Sequence, residues 1–566
     1  MSGSPTPLRR NLATVLLFVG LSVVWSWPLL TSPGGLHVHR QFDHYCAAWV
    51  AMLGAHWDGG WNTSMASWPV GQGLQRLDSL VLFLLARGVG WLVGPWTLLG
   101  WMVLIGPVIS AWAAERFAAN VLGARWPWSL VAGVTYGFSG LAAASVLEGH
   151  VYPLLNPWLP LMAWQWHRAT GTEGRLHHGL LAGLFWALCL ATSAYCGIAA
   201  SLWIVVWAVR LRPRWPANKR VAYAAAALIL PLGLGYTVMF LTGGAAGRAA
   251  DMWIPGTPGS GIGSGFGSLA ALAGPLPELD TAIRSVGPAL GFLPLALLVC
   301  VRWVRPERGP WKLCLVVGAI ALAIALGPPG RHWFDPGYES PLLRSLASWG
   351  PLGYFRFPVR LAWVTALAWG AVSAAVLSQL AARSPRRAAP LLVIAALDVL
   401  VVTGMPGRGA HLPWEVPTAY RSTSPDGAIL ALLPEFGGYN VIAERTLNDL
   451  ECAYQIDHGR PILNACVETG RRSGPNVRTG AWLRTSLLRG DSDREVAWRL
   501  GVFGVGSVVW RPDLFFPADR QAIGDGLVTA LGQPVAASRD AGEYIIVFRV
   551  PDPVPRQVAI EQWYGW

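Results

Sequence analysis

Long apolar stretches recur along this chain, and they constrain its fold more than any other feature of the sequence. The first runs from Leu12 to Leu30, and several later stretches approach the same length. A helix needs about 20 consecutive apolar residues to cross the hydrocarbon core of a bilayer. Only 13% of the 566 residues are charged, whereas an ordinary soluble domain carries about 25%. The sequence therefore predicts a polytopic α-helical membrane protein and excludes an ordinary cytosolic protein.

Basic residues lie mainly between the apolar stretches and give the chain a formal net charge of +12. Loops rich in lysine and arginine stay in the cytoplasm, so this excess predicts helix orientation and no nucleic-acid partner. If every basic cluster faces the cytoplasm, the count is about eleven spans, with the N-terminus inside and the C-terminus outside. The predicted spans are Leu12–Leu30, Trp101–Phe117, Leu130–Ser145, Tyr152–His167, Gly179–Ser193, Tyr195–Val209, Val221–Leu241, Val286–Val301, Trp311–Leu326, Pro358–Ala382 and Ala388–Thr403.

Two regions of different composition follow from this assignment. Residues 1–404 form the predicted membrane domain, with a first outer loop at residues 31–100. Ser79–Val93 within that loop is placed in the outer interface, because a crossing there would invert every later helix. Residues 405–566 regain charged residues, which predicts a soluble α/β or α+β domain outside the membrane. Its predicted strands are Ala428–Leu433, Val505–Trp510 and Glu543–Arg549, and its predicted helices are Asp493–Leu500 and Arg520–Leu531.

Acidic residues are scarce near the spans, and each one there is a functional candidate because charge is costly beside lipid. Asp43 follows the first span, and Glu148 and His150 lie at the outer end of the third. The topology places all three on the same membrane face. Two carboxylates and an imidazole can hold a divalent cation such as Mg²⁺ or Mn²⁺, or supply a general base. The structural alternatives are that Asp43 caps a helix and that Glu148 pairs with an arginine.

Two arginines supply the complementary charge on the outer face. Arg356 and Arg360 are four residues apart at the start of a span, so both side chains can point along one face of a helix. The planar guanidinium donates two hydrogen bonds at once, which suits a lipid phosphate or pyrophosphate. The alternative is that both residues are anchors at the headgroup level.

The seven cysteines and one glycine-rich loop complete the candidate features. Cys452 and Cys466 both lie in the C-terminal region, where an oxidising compartment would allow a disulfide between them. The glycine-rich segment Pro255–Gly267 matches neither GxxxxGK[ST] nor GxGxxG. We therefore interpret it as an outer loop, and ATP-driven transport by this chain alone is not predicted.

Several short motifs resemble a known pattern. The chain is similar to the GT-C glycosyltransferases and the YfhO-like membrane proteins of bacteria, from the first span through the C-terminal region. The residues that carry the resemblance are Asp43, Trp68–Gly71, Asp78, Gly149–His150, Trp158–Leu161, Ser193–Tyr195, Arg356–Arg360, His458–Pro461 and Leu500.

The resemblance implies transfer of a sugar from a polyprenyl-phosphate donor to a glycan, lipid or protein acceptor. The reaction would take place on the outer face of the bacterial inner membrane, during assembly of the cell envelope. In such enzymes the acid of the first loop, here Asp43, acts as base or metal ligand, and basic residues hold the carrier phosphate. A non-catalytic protein that binds or translocates a lipid-linked glycan is the alternative. A secondary transporter is less favoured, because the sequence shows no inverted repeat.

Overall fold

The structure is a computed structural model, and helices dominate the part of it that precedes residue 403. It describes residues 7–27, 42–56, 62–63, 72–73, 79–148, 151–171, 175–211, 292–307, 309–326, 358–402, 415–434, 441–463, 475–491, 493–540 and 543–564. The helices before residue 403 are α1 Pro7–Trp25, α2 Phe42–Ala55, α3 Leu80–Leu85, α4 Trp91–Val93, α5 Pro95–Val121, α6 Leu130–Gly137, α7 Gly140–Glu148, α8 Trp158–Ala169, α9 Leu176–Thr192, α10 Ala194–Leu211, α11 Phe292–Cys300, α12 Trp311–Leu326, α13 Ala362–Arg383 and α14 Pro385–Val402.

Shorter elements connect some of these helices. A π-helical turn, Ala86–Gly90, joins α3 to α4, so the predicted interfacial run Ser79–Val93 is helical from Leu80 onward. Single 3₁₀ turns precede α8 and α13, and two short antiparallel strands lie between α2 and α3. The 3₁₀ turns are Tyr152–Leu154 and Pro358–Leu361, and the strands are β1 Asn62–Thr63 and β2 Gln72–Gly73.

Three helices in the described residues are long and apolar enough to cross a membrane, namely Leu8–Trp25, Pro95–Val121 and Ala362–Arg383. They correspond to the first, second and tenth predicted spans. Six shorter apolar helices accompany them. The predicted total of about eleven spans stays a prediction, and the proposed span Val221–Leu241 lies outside the described residues.

Two predicted spans are interrupted in the structure. The run Leu130–Ser145 divides into α6 and α7 at Phe138, and the hydroxyl of Ser139 accepts a hydrogen bond from the first turn of α7 at 3.3 Å. The run Tyr152–His167 begins with a 3₁₀ turn and becomes α-helical only after Pro157. Proline disfavours helix in the residue before it, which explains why the apolar run does not form one helix.

Helices α5, α6 and α13 form the centre of the helical region. Helix α13 is almost entirely buried, and α6 packs against both α5 and α13. Two glycines one turn apart allow the close approach of α6 to α5: a Cβ atom on Gly133 would lie 2.7 Å from the carbonyl oxygen of Ala111, and one on Gly137 would lie 2.5 Å from that of Pro107. Small residues at this spacing are typical of tightly packed membrane helices.

A buried carboxylate joins α1 to α5. Glu115 is fully buried, accepts a hydrogen bond of 2.7 Å from the hydroxyl of Ser129, and lies 3.5 Å from a guanidinium nitrogen of Arg10 and 3.2 Å from one of Arg116. Arg116 also binds Asn11. The basic clusters at Arg10 and Arg116 are therefore at the same end of the helices, as their shared cytoplasmic assignment requires.

The C-terminal region, which we call the tail, contains a four-stranded mixed sheet in the order β3-β4-β6-β5. Strands β3 and β4 are parallel and fully buried, whereas β6 runs antiparallel to both β4 and β5. The elements are β3 Ala428–Leu432, α15 Val441–His458, α16 Pro475–Arg489, α17 Asp493–Val502, β4 Val505–Trp510, α18 Pro517–Leu531, β5 Ala536–Asp540, β6 Glu543–Arg549 and α19 Arg556–Tyr564.

The three predicted strands and two predicted helices of the tail are all present. Strands β4 and β6 have the predicted boundaries, and the other three elements differ from them at one end by one to three residues. Strand β5 was not predicted. Its sequence, Ala-Ala-Ser-Arg-Asp, lacks the β-branched and aromatic residues that mark a strand, and it forms at the edge of the sheet by pairing with β6. Whether the tail is an independent soluble domain stays a prediction.

Candidate functional site

The candidate base Asp43 is the second residue of α2. From Ala47 to Ala55 this helix is largely buried, and it packs against α3, α5, α7 and the tail helix α15. Such enclosure fixes the position of the backbone that carries Asp43. The side chain of Asp43 lies outside the described residues, so its role as a base or metal ligand stays a prediction.

The second candidate acid, Glu148, is the last residue of α7. Helices α2 and α7 contact each other directly, although more than eighty residues separate them in sequence. The structure therefore brings together the two helices that carry the predicted acids. The side chain of Glu148, and residues His150 and Arg356 altogether, lie outside the described residues.

Arg360 lies in the 3₁₀ turn before α13, and its guanidinium carbon is 4.8 Å from the centroid of the Tyr195 ring. Tyr195 is the second residue of α10. This cation–π contact joins two of the motifs that the sequence presents 165 residues apart, Ser193–Tyr195 and Arg356–Arg360. The contact restricts the position of the guanidinium, whose N–H donors all lie in one plane.

A buried polar network surrounds the segment that follows His150. The backbone N–H of Asn156 donates to the hydroxyl of Ser110 at 3.0 Å, and its carbonyl oxygen accepts from the hydroxyl of Tyr136 at 2.9 Å. The side-chain amide of Asn156 contacts the sulfur atoms of Cys189 and Cys196. Asn156 is fully buried, and buried polar groups that are satisfied in this way hold a loop in a single conformation.

This network lies beside the Arg360 contact. Cys196 directly follows Tyr195, on which Arg360 stacks, and the ring of Tyr136 lies 5.4 Å from that of Trp363, three residues after Arg360. We did not predict Tyr136, Asn156 or Tyr195 as site residues. The signal was present for Asn156, because an amide between two leucines and a proline is unusual in an apolar run.

No group of three or more His, Cys, Asp or Glu residues that could hold a metal ion occurs in the described part of the chain. The predicted cation ligands Asp43, Glu148 and His150 all have side chains outside that part. The proposed Mg²⁺ or Mn²⁺ site therefore stays a prediction.

The tail is attached to the candidate site through α15. The indole N–H of Trp49 on α2 donates a hydrogen bond of 2.8 Å to the side-chain oxygen of Gln455 on α15. Gln455 in turn donates to the carbonyl oxygen of Arg460 at 2.7 Å. Cys452, on the same helix, is disulfide-bonded. Cys189, Cys196, Cys300 and Cys314 are free. The predicted partner, Cys466, lies outside the described residues.

A buried ion network stabilises α15 against the sheet of the tail. Arg511, which follows β4, pairs with the fully buried Glu451 and lies 2.9 Å from Glu543. The hydroxyl of Tyr420 donates to Glu451 at 2.6 Å and accepts from Arg511 at 3.1 Å. Burial raises the pKa of Tyr420, so this hydroxyl keeps its proton at neutral pH. Every charge in this network has an opposite partner, as burial requires.

Comparison with solved structures identifies the fold. The arabinofuranosyltransferase AftD from Mycobacteria matches 97% of this chain with a TM-score of 0.54 and 15% sequence identity, and the chain spans 40% of the length of AftD. ArnT from Cupriavidus metallidurans, solved with bound undecaprenyl phosphate, matches 96% of this chain and 99% of its own length, with a TM-score of 0.52 and 13% identity. No protein-family model and no curated protein sequence matches the chain.

At these identities the similarity concerns the fold, and it confirms the GT-C part of the resemblance. The YfhO-like part stays a prediction. The comparison therefore shows a fold like that of the GT-C glycosyltransferases, and three helices among the described residues are long and apolar enough to cross a membrane.

Proposed function

We propose that this chain is a glycosyltransferase that takes a sugar from a polyprenyl-phosphate donor. It transfers the sugar to a glycan, lipid or protein acceptor on the outer face of the bacterial inner membrane. The observation that carries the proposal is the placement of Arg360 on Tyr195 in a chain with the GT-C fold. A guanidinium held against an aromatic ring at the start of a helix is well suited to bind the phosphate of a lipid carrier.

The chemistry follows from the predicted roles. Asp43 accepts the proton of the acceptor hydroxyl, and the acceptor oxygen attacks the anomeric carbon of the donor sugar. The bond from that carbon to the phosphate oxygen breaks, and polyprenyl phosphate leaves with increased negative charge. Arg356 and Arg360 stabilise this charge as it develops. Glu148 and His150 orient the acceptor or, together with Asp43, would hold a divalent cation such as Mg²⁺ or Mn²⁺, which would supply positive charge beside the donor phosphate.

The contact between α2 and α7 supports these roles, because these two helices carry Asp43 and Glu148. The tail contributes through α15, which packs on α2. We assign to the tail the recognition of the acceptor.

Transfer by the purified protein in liposomes with polyprenyl-phosphate sugars tests the proposal. We expect the wild type to transfer sugar and Asp43→Asn to lose at least about 100-fold in rate, which is the typical contribution of a positioned base. Asp525→Asn is the matched control, since Asp525 is an exposed carboxylate on α18. Wild-type transfer that Asp43→Asn leaves unchanged would remove Asp43 from catalysis. Carrier binding without any transfer would instead support the non-catalytic alternative.

A further inference from the structure

Four helices of the region before residue 403 carry the same arrangement of exposed residues, which we call the cation-headed faces. Each has an exposed cation in its first turn or at the residue before it, and exposed apolar side chains follow along the helix. None of the four has an acidic residue in its first turn. The cations are Arg9 on α1, Arg175 before α9, Lys312 on α12 and Arg386 on α14. The apolar residues are Leu12 and Leu16 on α1, Leu176, Leu180 and Leu184 on α9, Val316, Ile320 and Ile324 on α12, and Val393 and Leu397 on α14.

Helix α12 shows the arrangement most clearly. Lys312, Val316, Ile320 and Ile324 follow one another at intervals of four residues, so they lie along one face of the helix. The three apolar side chains are, in this order, 50%, 37% and 38% exposed. The face is about 18 Å long at a rise of about 1.5 Å per residue, and one leaflet of hydrocarbon is about 15 Å thick, half of a core of about 30 Å. It therefore matches a molecule with an anionic head and an apolar chain about one leaflet long.

Contacts between the helix ends place three of the cations at the same end. The loop after α5 contacts α1, where the indole N–H of Trp126 donates to the hydroxyl of Thr14 at 3.2 Å. It also contacts the last turns of α13, where the backbone N–H of Arg125 donates to the hydroxyl of Ser378 at 3.0 Å, and α14 begins directly after α13. Gly309, two residues before α12, lies against the backbone at the end of α5. The first turns of α1, α12 and α14 therefore lie at the C-terminal end of α5.

The start of α9 lies at this end as well. The ring centroid of His167, near the end of α8, is 5.7 Å from that of Trp207 on α10. The ring centroid of Trp203, one turn earlier on α10, is 5.4 Å from that of Phe117 in the last turns of α5. Helix α8 therefore ends near the C-terminal end of α5, and α9 follows after a short loop. All four cations are thus at the end that we predicted to face the cytoplasm.

Two helices that run in the opposite direction lack the cation. The first turns of α5 and α10, Pro95–Leu98 and Ala194–Gly197, contain no lysine or arginine. Both helices nevertheless have exposed apolar side chains, namely Trp101, Ile105 and Ile109 on α5 and Ile198, Val205 and Val209 on α10. Contact with hydrocarbon alone therefore does not account for the cations. Since such residues also orient a chain during insertion, binding has to be measured on the folded protein.

We propose that the cation-headed faces bind anionic phospholipids of the leaflet at this end. The headgroup phosphate pairs with the cation, and an acyl chain packs along the apolar side chains. A soluble anion would use the cation alone, and a zwitterionic lipid carries a compensating positive charge in its headgroup. The inference is independent of the proposed sugar transfer, because the donor phosphate is assigned to Arg360 before α13, whereas the cations lie at the other end of that helix.

Thermal unfolding of the purified full chain in a neutral detergent tests the proposal. Titrations with phosphatidylglycerol and with phosphatidylcholine of the same acyl chains give the lipid concentration at which the rise in melting temperature is half complete. We expect this concentration to be about tenfold lower for phosphatidylglycerol. A quadruple variant with Arg9→Gln, Arg175→Gln, Lys312→Gln and Arg386→Gln should lose this preference.

The matched control replaces four exposed arginines of the tail, in Arg421→Gln, Arg489→Gln, Arg494→Gln and Arg549→Gln. It makes the same change in net charge and should keep the preference of the wild type for phosphatidylglycerol. Loss of the preference in this control would assign it to the net charge of the chain and overturn the proposal.

Equal half-maximal concentrations of the two lipids for the wild type would contradict the proposal, and so would a quadruple variant that keeps the preference. Glycerol phosphate, which has an anionic headgroup and no acyl chain, should leave the melting temperature unchanged at these concentrations. The same rise with glycerol phosphate would show that the ligand is a soluble anion. If the quadruple variant does not fold, Lys312→Gln alone decides. Native mass spectrometry should count one phosphatidylglycerol molecule fewer on Lys312→Gln than on the wild type, and an equal count would overturn the proposal.

Discussion

The indole of Trp49 and the side-chain amide of Gln455 share a buried hydrogen bond of 2.8 Å across 406 positions of sequence. Trp49 is 1% exposed and Gln455 is fully buried. Because Trp49 is on the helix whose second residue is Asp43, this bond connects the tail to the candidate catalytic region.

Removing this hydrogen bond should destabilise the protein and reduce transfer. Trp49→Phe leaves the side-chain oxygen of Gln455 unpaired, and Gln455→Leu leaves the indole N–H of Trp49 unpaired and also removes the hydrogen bond to the carbonyl oxygen of Arg460. Each unpaired buried group costs about 1–3 kcal/mol. The double variant leaves neither side chain of the Trp49–Gln455 pair unpaired, so it should lose less stability than the sum of the two single variants. Thermal unfolding of all four proteins measures the coupling.

The matched control for this cycle is Trp186→Phe, which removes a similar bond of 2.9 Å to Ser201 inside the helical region. We expect it to lower stability without changing the effect of Gln455→Leu. Strict additivity of Trp49→Phe and Gln455→Leu would show that the bond does not couple α2 to the tail.

The close packing of α6 on α5 predicts a second stability effect. Gly137→Ala should lower the stability of the helical region by about 1–3 kcal/mol, because the new methyl group would overlap the backbone of α5. Gly20→Ala is the control, since no atom lies within 4 Å of a Cβ atom at that exposed position. Thermal unfolding in detergent compares the two variants, and equal melting temperatures would contradict the packing.

The folded tail should become less stable as the pH falls below about 6.5. His458 has a lowered pKa in the folded protein, so the unfolded chain binds a proton more readily. Protonation therefore stabilises the unfolded state relative to the folded state. The stability that the neutral ring contributes is present above the unfolded pKa of about 6.5 and is lost below it. Between pH 6.5 and 5 the loss should be about 1–2 kcal/mol.

His458→Phe should flatten this pH dependence, because phenylalanine keeps the stacking on Tyr420 and does not titrate. Unfolding of the wild type and the variant across pH 5 to 8 makes the comparison. A variant with the same slope as the wild type would assign the pH dependence to other groups.

The proposed role of Arg360 in phosphate binding predicts a change in the KM for the donor. Arg360→Gln should raise the KM for the polyprenyl-phosphate sugar by about tenfold or more, because a charge-assisted hydrogen bond contributes about 1.5–3 kcal/mol. Arg360→Lys keeps the charge but loses the planar pair of donors, so its KM should lie between that of the wild type and that of Arg360→Gln. Replacement of both Arg356 and Arg360 by Gln should raise the KM for the donor further.

Arg302→Gln is the control for these variants, since Arg302 is an exposed arginine in the turn after α11. Its KM for the donor should equal that of the wild type. An unchanged donor KM in Arg360→Gln would exclude Arg360 from phosphate binding.

The sequence predicted the elements whose signals are local. Apolar length identified α1, α5 and α13, which are long and apolar enough to cross a membrane, and alternating or continuous apolar runs identified β3, β4 and β6. The edge strand β5 carries no such signal, because only its pairing with β6 makes it a strand. The breaks at Phe138 and after Tyr152 were missed because apolar length alone does not separate one long helix from two short ones.

Candidate site residues could be proposed where a charge stands out against an apolar background, as Asp43, Glu148 and Arg360 do, and their roles stay predictions. Their partners were not predictable, because Tyr195, Asn156 and Gln455 act through contacts between distant parts of the chain. Tyr195 was noticed only as part of a motif, and its stacking with Arg360 is visible only in three dimensions. Glu115 was overlooked entirely, although it is a buried acid inside a span.

An experimental structure with bound polyprenyl phosphate tests the central claim most directly. The account predicts that the phosphate binds within hydrogen-bond distance of Arg360, and that the carboxylates of Asp43 and Glu148 face the same cavity. A phosphate bound away from Arg360, or protein packed between the two carboxylates, would contradict it.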